Sequence, residues 1–349
     1  MRITVCVHLD PMERTLIAGA AREEHCGLDR ATLKAIDGRL GQQVLIRRGA
    51  EPLALFTVTA ENGLAGTRRC PGAVTVGPEG LARLFAGPPG SAPPPSTMAR
   101  WTRGAARRPA DPAAGAPVEF RATLGDEVTA DIPEVVAKGR TALIERVVGD
   151  ATGGGGLAVL APHGGMVEAG TDRQAERAHA AVAAAGRSAR GWLCQGWKRG
   201  GGAKLCWHVT SAEISARSFP KLGAMLAAKA NHAVAFHGWT AERIGVGGGV
   251  VDRAAHPERH RRHEVLKEEV RAGIEAALLA LGPPWSALPV VLEASGTFSG
   301  RHPDNVVNRI TKLGNGIQVE QPEEVRQDAR AHEAVADAVA RVYLRQEDV

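Results

Sequence analysis

The sequence predicts an α/β protein: a mostly parallel sheet with helices on both faces, preceded by a small β-rich N-terminal domain. Three observations carry this. Residues 118–349 alternate strand-length apolar runs with longer stretches of helical period, the pattern of successive βα units. Residues 1–86 hold short β-rich runs broken by glycine. Between them, residues 87–117 are rich in proline, glycine and alanine, with little apolar material to bury, which marks an interdomain linker.

Taken in order, residues 2–8, 43–47, 53–59 and 73–76 read as strands and 31–36 and 78–85 as helices, which suits a small barrel or α+β domain. His8, Asp10 and His25 are isolated polar residues there and read as surface groups rather than ligands. The second domain opens with a helix over 132–148 that ends at Gly153-Gly154-Gly155-Gly156. Leu157-Ala158-Val159-Leu160-Ala161 is a continuous apolar run, as expected of a strand buried on both faces. A helix over 172–185 follows, then strands at 191–195 and 204–209, a helix over 219–230 and a buried strand at 233–236. A short strand at 244–246 precedes a long amphipathic helix, 257–281. Strands at 289–293 and 316–320 flank a helix at 303–311, and a helix over 322–344 closes the chain.

Composition narrows the function classes. A chain of 349 residues suggests two domains. No apolar run approaches the ~20 residues of a membrane helix. The start, Met1-Arg2-Ile3-Thr4-Val5-Cys6, lacks the apolar core of a signal peptide, so a cytoplasmic protein is expected. Cys6, Cys26, Cys70, Cys194 and Cys206 form no CxxC pair and read as buried thiols rather than a disulfide framework or zinc knuckle. The net charge of +5 is N-terminal: residues 1–118 hold 15 Lys/Arg against 10 Asp/Glu, and the remainder is balanced. Part of that excess is Arg100, Arg103, Arg107 and Arg108 in an aromatic-poor linker, so no specific nucleic-acid partner is expected.

In open parallel sheets, function collects at the carboxyl ends of the strands. The strand at 157–161 runs into Pro162-His163-Gly164-Gly165-Met166-Val167-Glu168-Ala169-Gly170-Thr171, and 233–236 into His237-Gly238-Trp239. Residues 204–207 lead into His208-Val209-Thr210-Ser211, and 316–319 end at Glu320. Two imidazoles and a carboxylate on one rim would leave a fourth position open, the ligand set of a catalytic zinc that activates water. A second carboxylate beside that water is a candidate general base, and Glu320 supplies one.

These segments, together with Asn308-Arg309 and Gly316-Ile317-Gln318-Val319-Glu320, resemble the poly-γ-glutamate hydrolase family, with Pro-His-Gly-Gly-x-x-Glu-x-Gly-Thr the most specific part. The resemblance covers roughly residues 140–320 and leaves out 1–118. It implies a Zn2+-dependent amidohydrolase with a zinc carboxypeptidase-like fold, acting on an acidic γ-glutamyl polymer or related amide. By position it makes His163, Glu168 and His237 the metal ligands and Glu320 the base that activates water. Arg309 becomes the cation for a substrate carboxylate or the developing oxyanion, with Asn308 beside it. His208, Thr210 and Ser211 become substrate contacts. For a cytoplasmic chain, access to an extracellular polymer would follow lysis.

Other readings compete. His256-Pro257-Glu258-Arg259-His260-Arg261-Arg262-His263 has histidines at helical spacing, but the interleaved arginines read as the charged start of a solvated helix. Gly245-Val246-Gly247-Gly248-Gly249 lacks the residues of a phosphate loop, and neither Ser211 nor Ser295 sits in a nucleophile elbow. A hydrolase of another amide (a peptidoglycan cross-link or an N-acyl amino acid) is the alternative within the enzyme class. A non-catalytic module whose N-terminal domain binds a partner is the alternative outside it.

Overall fold

The computed structural model describes residues 2–9, 22–48, 53–64, 72–77, 80, 83–84, 117–121, 141–198, 200–296 and 298–347. They fall into two compact units, one within Met1–Leu143 plus Gly196–Phe219, the other within Ile144–Gln195 plus Pro220–Val349.

The first unit contains a closed barrel. Its strands are β1 (Arg2–Leu9), β2 (His25–Leu28), β3 (Gln43–Arg48), β4 (Leu53–Glu61), β5 (Gly72–Val76) and β6 (Pro117–Arg121), in the order β1-β5-β2-β4-β3-β6. Val44, Ile46, Phe56, Val58, Val74 and Val76 are buried, the apolar content that the short β-rich runs promised, and Leu28 of β2, a strand not expected from the sequence, is buried with them. Helix α1 (Arg30–Ala35) is capped by Asp29, whose carboxylate accepts from the Thr32 N–H. β6 pairs antiparallel with both β1 and β3 and so closes the ring. The expected linker at 87–117 lies outside the described residues except for Pro117, as does Asp10. The expected helix over 78–85 is described only at Gly80, Arg83 and Leu84, which are helical.

The second unit is built on a seven-stranded sheet in the order β12-β11-β13-β10-β8-β9-β7. Its first members are β7 (Ala142–Val148), β8 (Leu157–Gly165), helix α2 (Thr171–Ala184) and β9 (Ala189–Trp197). Ala142–Val148 was expected to end a helix, and it is a strand. Glu145 and Arg146 give it a polar look, yet Glu145 is buried. Its carboxylate accepts from the Trp192 indole at 2.9 Å and the Leu222 N–H at 2.8 Å. Residues 132–140 of that expected helix lie outside the described residues.

Gly196–Phe219, which starts within the last residues of β9, belongs to the first unit and carries helix α3 (Ala203–Trp207), packed on β4. A strand was expected over 204–209. The apolar residues Cys206 and Trp207 are instead buried side chains of a short helix, and the Trp207 indole donates to the Trp197 carbonyl at 3.0 Å.

The remaining elements are α4 (Pro220–Ala228), β10 (His232–Gly238), β11 (Ile244–Gly248), α5 (Pro257–Leu281), β12 (Val290–Leu292), α6 (Val306–Arg309), β13 (Ile317–Gln321), α7 (Glu323–Gln327) and α8 (Ala329–Leu344). β10 runs parallel to β8 and β13, and β11 parallel to β12 and antiparallel to β13. Val159, Val234, Phe236 and Val319 share one apolar cluster with Ala175 and Val182 of α2, Val270 and Ile274 of α5, and Val335 and Val339 of α8. All nine residues of β8 are buried, the five of the apolar run 157–161 as predicted and the four that follow it as well. Among the described residues, no helix is long and apolar enough to cross a membrane.

Candidate active site

Strand β8 continues past Leu160, its last residue in register with β10, and carries His163 over the carboxyl edge of the sheet. Gly165 then takes φ +70°, a left-handed conformation that glycine adopts without strain. The chain folds back on itself: the Glu168 N–H donates to the His163 carbonyl at 2.8 Å, and the Thr171 hydroxyl donates to the Glu168 carbonyl at 2.9 Å. Asp172, in the first turn of α2, accepts from the Gly165 N–H at 3.1 Å and the Gln195 amide at 2.6 Å. The turn is therefore held at both ends, and it aims His163 and Glu168 at one point.

His237 reaches the same point from the end of β10. Its Nδ1 lies 3.2 Å from His163 Nδ1 and 3.5 Å from Glu168 Oε2, and His163 Nδ1 lies 3.1 Å from that oxygen. All three residues are buried. The Gly238 N–H also donates to Glu168 Oε2, at 2.9 Å. Burial alone would raise the Glu168 pKa, but the imidazoles of His163 and His237 outweigh it and hold the carboxyl well below its ordinary value.

Glu320 is placed by the ladder. β10 and β13 are parallel, with His237 in register with Glu320, so both side chains leave the same face of neighbouring strands ~4.8 Å apart. Gln318, two residues earlier on that face, donates to Glu320 Oε1 and accepts from the Asn305 amide at 2.9 Å. Sequence reasoning missed Gln318, although its i, i+2 spacing from Glu320 in a strand was available.

Asn308 and Arg309 are not brought to this group. The Ala230 N–H donates to the Ile310 carbonyl at 2.9 Å, and Lys229 Nζ donates to the Arg309 carbonyl, which puts α6 at the amino end of β10. From Ala230 to His237 the strand covers roughly 23 Å at ~3.3 Å per residue. The Asn308 amide accepts from the Gly249 N–H at 3.1 Å and donates to the carbonyls of Gly300 and His302 at 2.8 and 2.9 Å. It ties the Gly249 turn and the 300–302 loop to α6.

His208, Thr210 and Ser211 belong to the first unit. His208 Nδ1 is paired with buried Glu24, which also accepts from the Thr210 N–H at 2.7 Å and its hydroxyl at 3.2 Å. Arg83 donates to the His208 carbonyl at 2.5 Å. Burial would raise the Glu24 pKa; His208 and Arg83 overcome it and bring it down to about 2. Gln43 ties down the rest of the segment, its amide donating to the Glu213 carbonyl at 2.7 Å and accepting from the Ser215 N–H at 2.9 Å. His25, expected at the surface, is buried and lies 2.7 Å from Glu213 Oε2. His263 is likewise buried on α5, whereas Arg259, Arg261 and Arg262 are exposed as expected. Cys26, Cys194 and Cys206 are buried and unbridged.

A family model described as poly-γ-glutamate hydrolase matches residues 146–338, more than half of the chain and the whole of the His163–Glu320 group. The chain belongs to the poly-γ-glutamate hydrolase family. Membership places it among hydrolases of amide bonds. Of solved structures, a bacteriophage poly-γ-glutamate hydrolase aligns at 23% identity, covering 60% of this chain and 93% of that one, with a TM-score of 0.40. Zinc-free apo YndL aligns at 22% identity over 57% and 88%, with a TM-score of 0.39. A metallo-carboxypeptidase from Burkholderia cenocepacia aligns at 10% over 66% and 70%, with a TM-score of 0.35. No curated protein matches the chain.

Proposed function

We propose that this member of the family hydrolyses γ-glutamyl amide bonds, with His163, Glu168 and His237 holding a zinc ion and Glu320 acting as general base. The carrying observation is the triangle of donor atoms, with sides of 3.1, 3.2 and 3.5 Å. A tetrahedral zinc with bonds of ~2.0–2.1 Å has donor–donor edges of roughly 3.3–3.4 Å. The chemistry of the set agrees: two imidazole nitrogens and a carboxylate can bring three lone pairs to one point, where a cation would satisfy all of them. Zinc held there supplies Lewis acidity and lowers the pKa of water to about 7.

The chain's own residues do the rest. With Nδ1 on the metal, each imidazole would carry its proton on Nε2. Gly238 N–H fixes the Glu168 oxygen, so the carboxylate presents one atom rather than swinging between two. Gln318 orients the Glu320 carboxylate, which takes a proton from the attacking water and returns it to the leaving amine. The resemblance also assigns His208, Thr210 and Ser211 to the substrate. Within the first unit, Glu24 fixes the ring of His208 and the backbone of Thr210.

Metal analysis coupled to a digest tests this reading. Purified full-length protein is expected to hold about one zinc per chain and to shorten poly-γ-glutamate but not its α-linked counterpart. His163→Ala is expected to lose both the zinc and the cleavage. A folded chain that takes up no zinc overturns the metal assignment. A zinc-loaded chain that cleaves a peptidoglycan cross-link or an N-acyl amino acid, and not the γ-linked polymer, overturns the substrate.

A further inference from the structure

Arg326, the fourth residue of α7, is buried and lies outside every motif that pointed to the site. Its guanidinium touches three places. Nη1 donates to the Ala169 carbonyl at 2.7 Å, and Nε donates to the Gln321 carbonyl at 3.3 Å. The flat of the group lies on Gly238, where an added Cβ would stand 2.5 Å from Cζ and 2.7 Å from both Nε and Nη2. Ala169, Gln321 and Gly238 are the residues that directly follow Glu168, Glu320 and His237. One side chain thus braces the three segments that end in proposed site residues.

Two neighbouring glycines fit this packing. Gly170 takes φ +98°, and the space beside it is filled by the Arg326 carbonyl, 2.3 Å from where a Cβ would be. Gly238 leaves room for the guanidinium while its own N–H holds Glu168. Burial lowers the Arg326 pKa, and Glu168, Glu323, Glu320 and Glu324 oppose that. Burial prevails, so these carboxylates offset only part of the cost of the buried charge.

We infer that Arg326 is the positioning residue that sets the spacing of Glu168, His237 and Glu320, a reading that rests on the proposed metal site. A planar fork can brace two carbonyls and lie on a glycine at once; a lysine ammonium keeps the charge but cannot do both. The inference concerns geometry, so it is read in zinc affinity and in kcat rather than in whether the protein folds.

The experiment compares Arg326→Gln, Arg326→Lys and Gly238→Ala with the wild-type full chain by circular dichroism, zinc competition against a chelator, and kinetics on poly-γ-glutamate. Removing a group that orients metal ligands typically weakens metal binding 10–100-fold. Arg326→Gln is expected to keep the wild-type dichroism, weaken zinc by about that factor, and lower kcat at saturating zinc with little change in KM. Arg326→Lys is expected to fall between the two. Gly238→Ala, which leaves the arginine in the sequence but displaces its guanidinium, is expected to reproduce Arg326→Gln. Should Arg326→Gln fail to fold, the other two variants decide. Wild-type zinc affinity and kcat in the folded variants overturn the inference while leaving the metal site standing. A wild-type chain that binds no zinc overturns the metal site itself.

Discussion

Each unit buries a glutamate against histidine, and the two arrangements differ in who supplies the protons. Around Glu24 the donors are complete: the Thr210 N–H and hydroxyl and His208 Nδ1 all point at the carboxylate, with the Arg83 charge nearby. Around Glu168 two imidazole nitrogens stand 3.2 Å from each other and 3.1 and 3.5 Å from one carboxylate oxygen. The first pattern is satisfied by the protein alone. The second is the group proposed to hold zinc. Residue types do not separate the two; the count of lone pairs meeting at one point does.

The sharpest way to break this contrast acts on Glu320. Glu320→Gln is expected to retain zinc and lose turnover by 10²–10⁴-fold, the usual contribution of one positioned base. Unchanged turnover in that variant would remove Glu320 from the chemistry.

The next test moves to the first unit. Removing one partner of a buried pair costs ~3–5 kcal/mol, so Glu24→Gln is expected to lower the denaturation midpoint while zinc content stays at the wild-type value. The pH dependence follows from the same group. Its pKa is depressed from 4.5 to about 2 in the folded chain, so its stabilisation is complete above about 4.5 and disappears as the pH falls towards about 2. Denaturant titrations between pH 5 and 2.5 are expected to steepen this loss in the wild type relative to Glu24→Gln. Identical slopes would mean that Glu24 is not the ionised partner of His208.

The smallest effect is expected at Arg309. At the amino end of β10, Arg309→Lys is expected to change kcat/KM by less than about 3-fold, alike for acidic and neutral amides. A selective loss on acidic substrates would return Arg309 to the substrate, against the strand ladder.

How much was legible depended on how locally each feature is encoded. The strand β8 and its exit turn were visible because an apolar run, a histidine and two glycines are consecutive residues. Helix α5 was read with its observed bounds, since its period and its proline at the first turn are local. β7 was misread because Glu145 looks like a helix surface until Trp192 and Leu222 arrive to bond it. His208 was placed on a strand end, yet its partner Glu24 lies 184 residues away in the sequence. Asn308 and Arg309 have the right chemistry for a carboxylate, and only the pairing of 230 with 310 shows which rim they occupy. Arg326 carries no motif, because its three contacts lie in three separate segments.

The sequence by itself determined the fold class, the candidate site residues His163, Glu168, His237 and Glu320, and the family, because strand periods, glycine turns and motif spacing are properties of neighbouring residues. Tertiary structure decided which histidines meet, which rim holds Arg309, and which arginine braces the site. Those outcomes depend on ladder register and on donors brought in from distant segments, and no short stretch of chain encodes them.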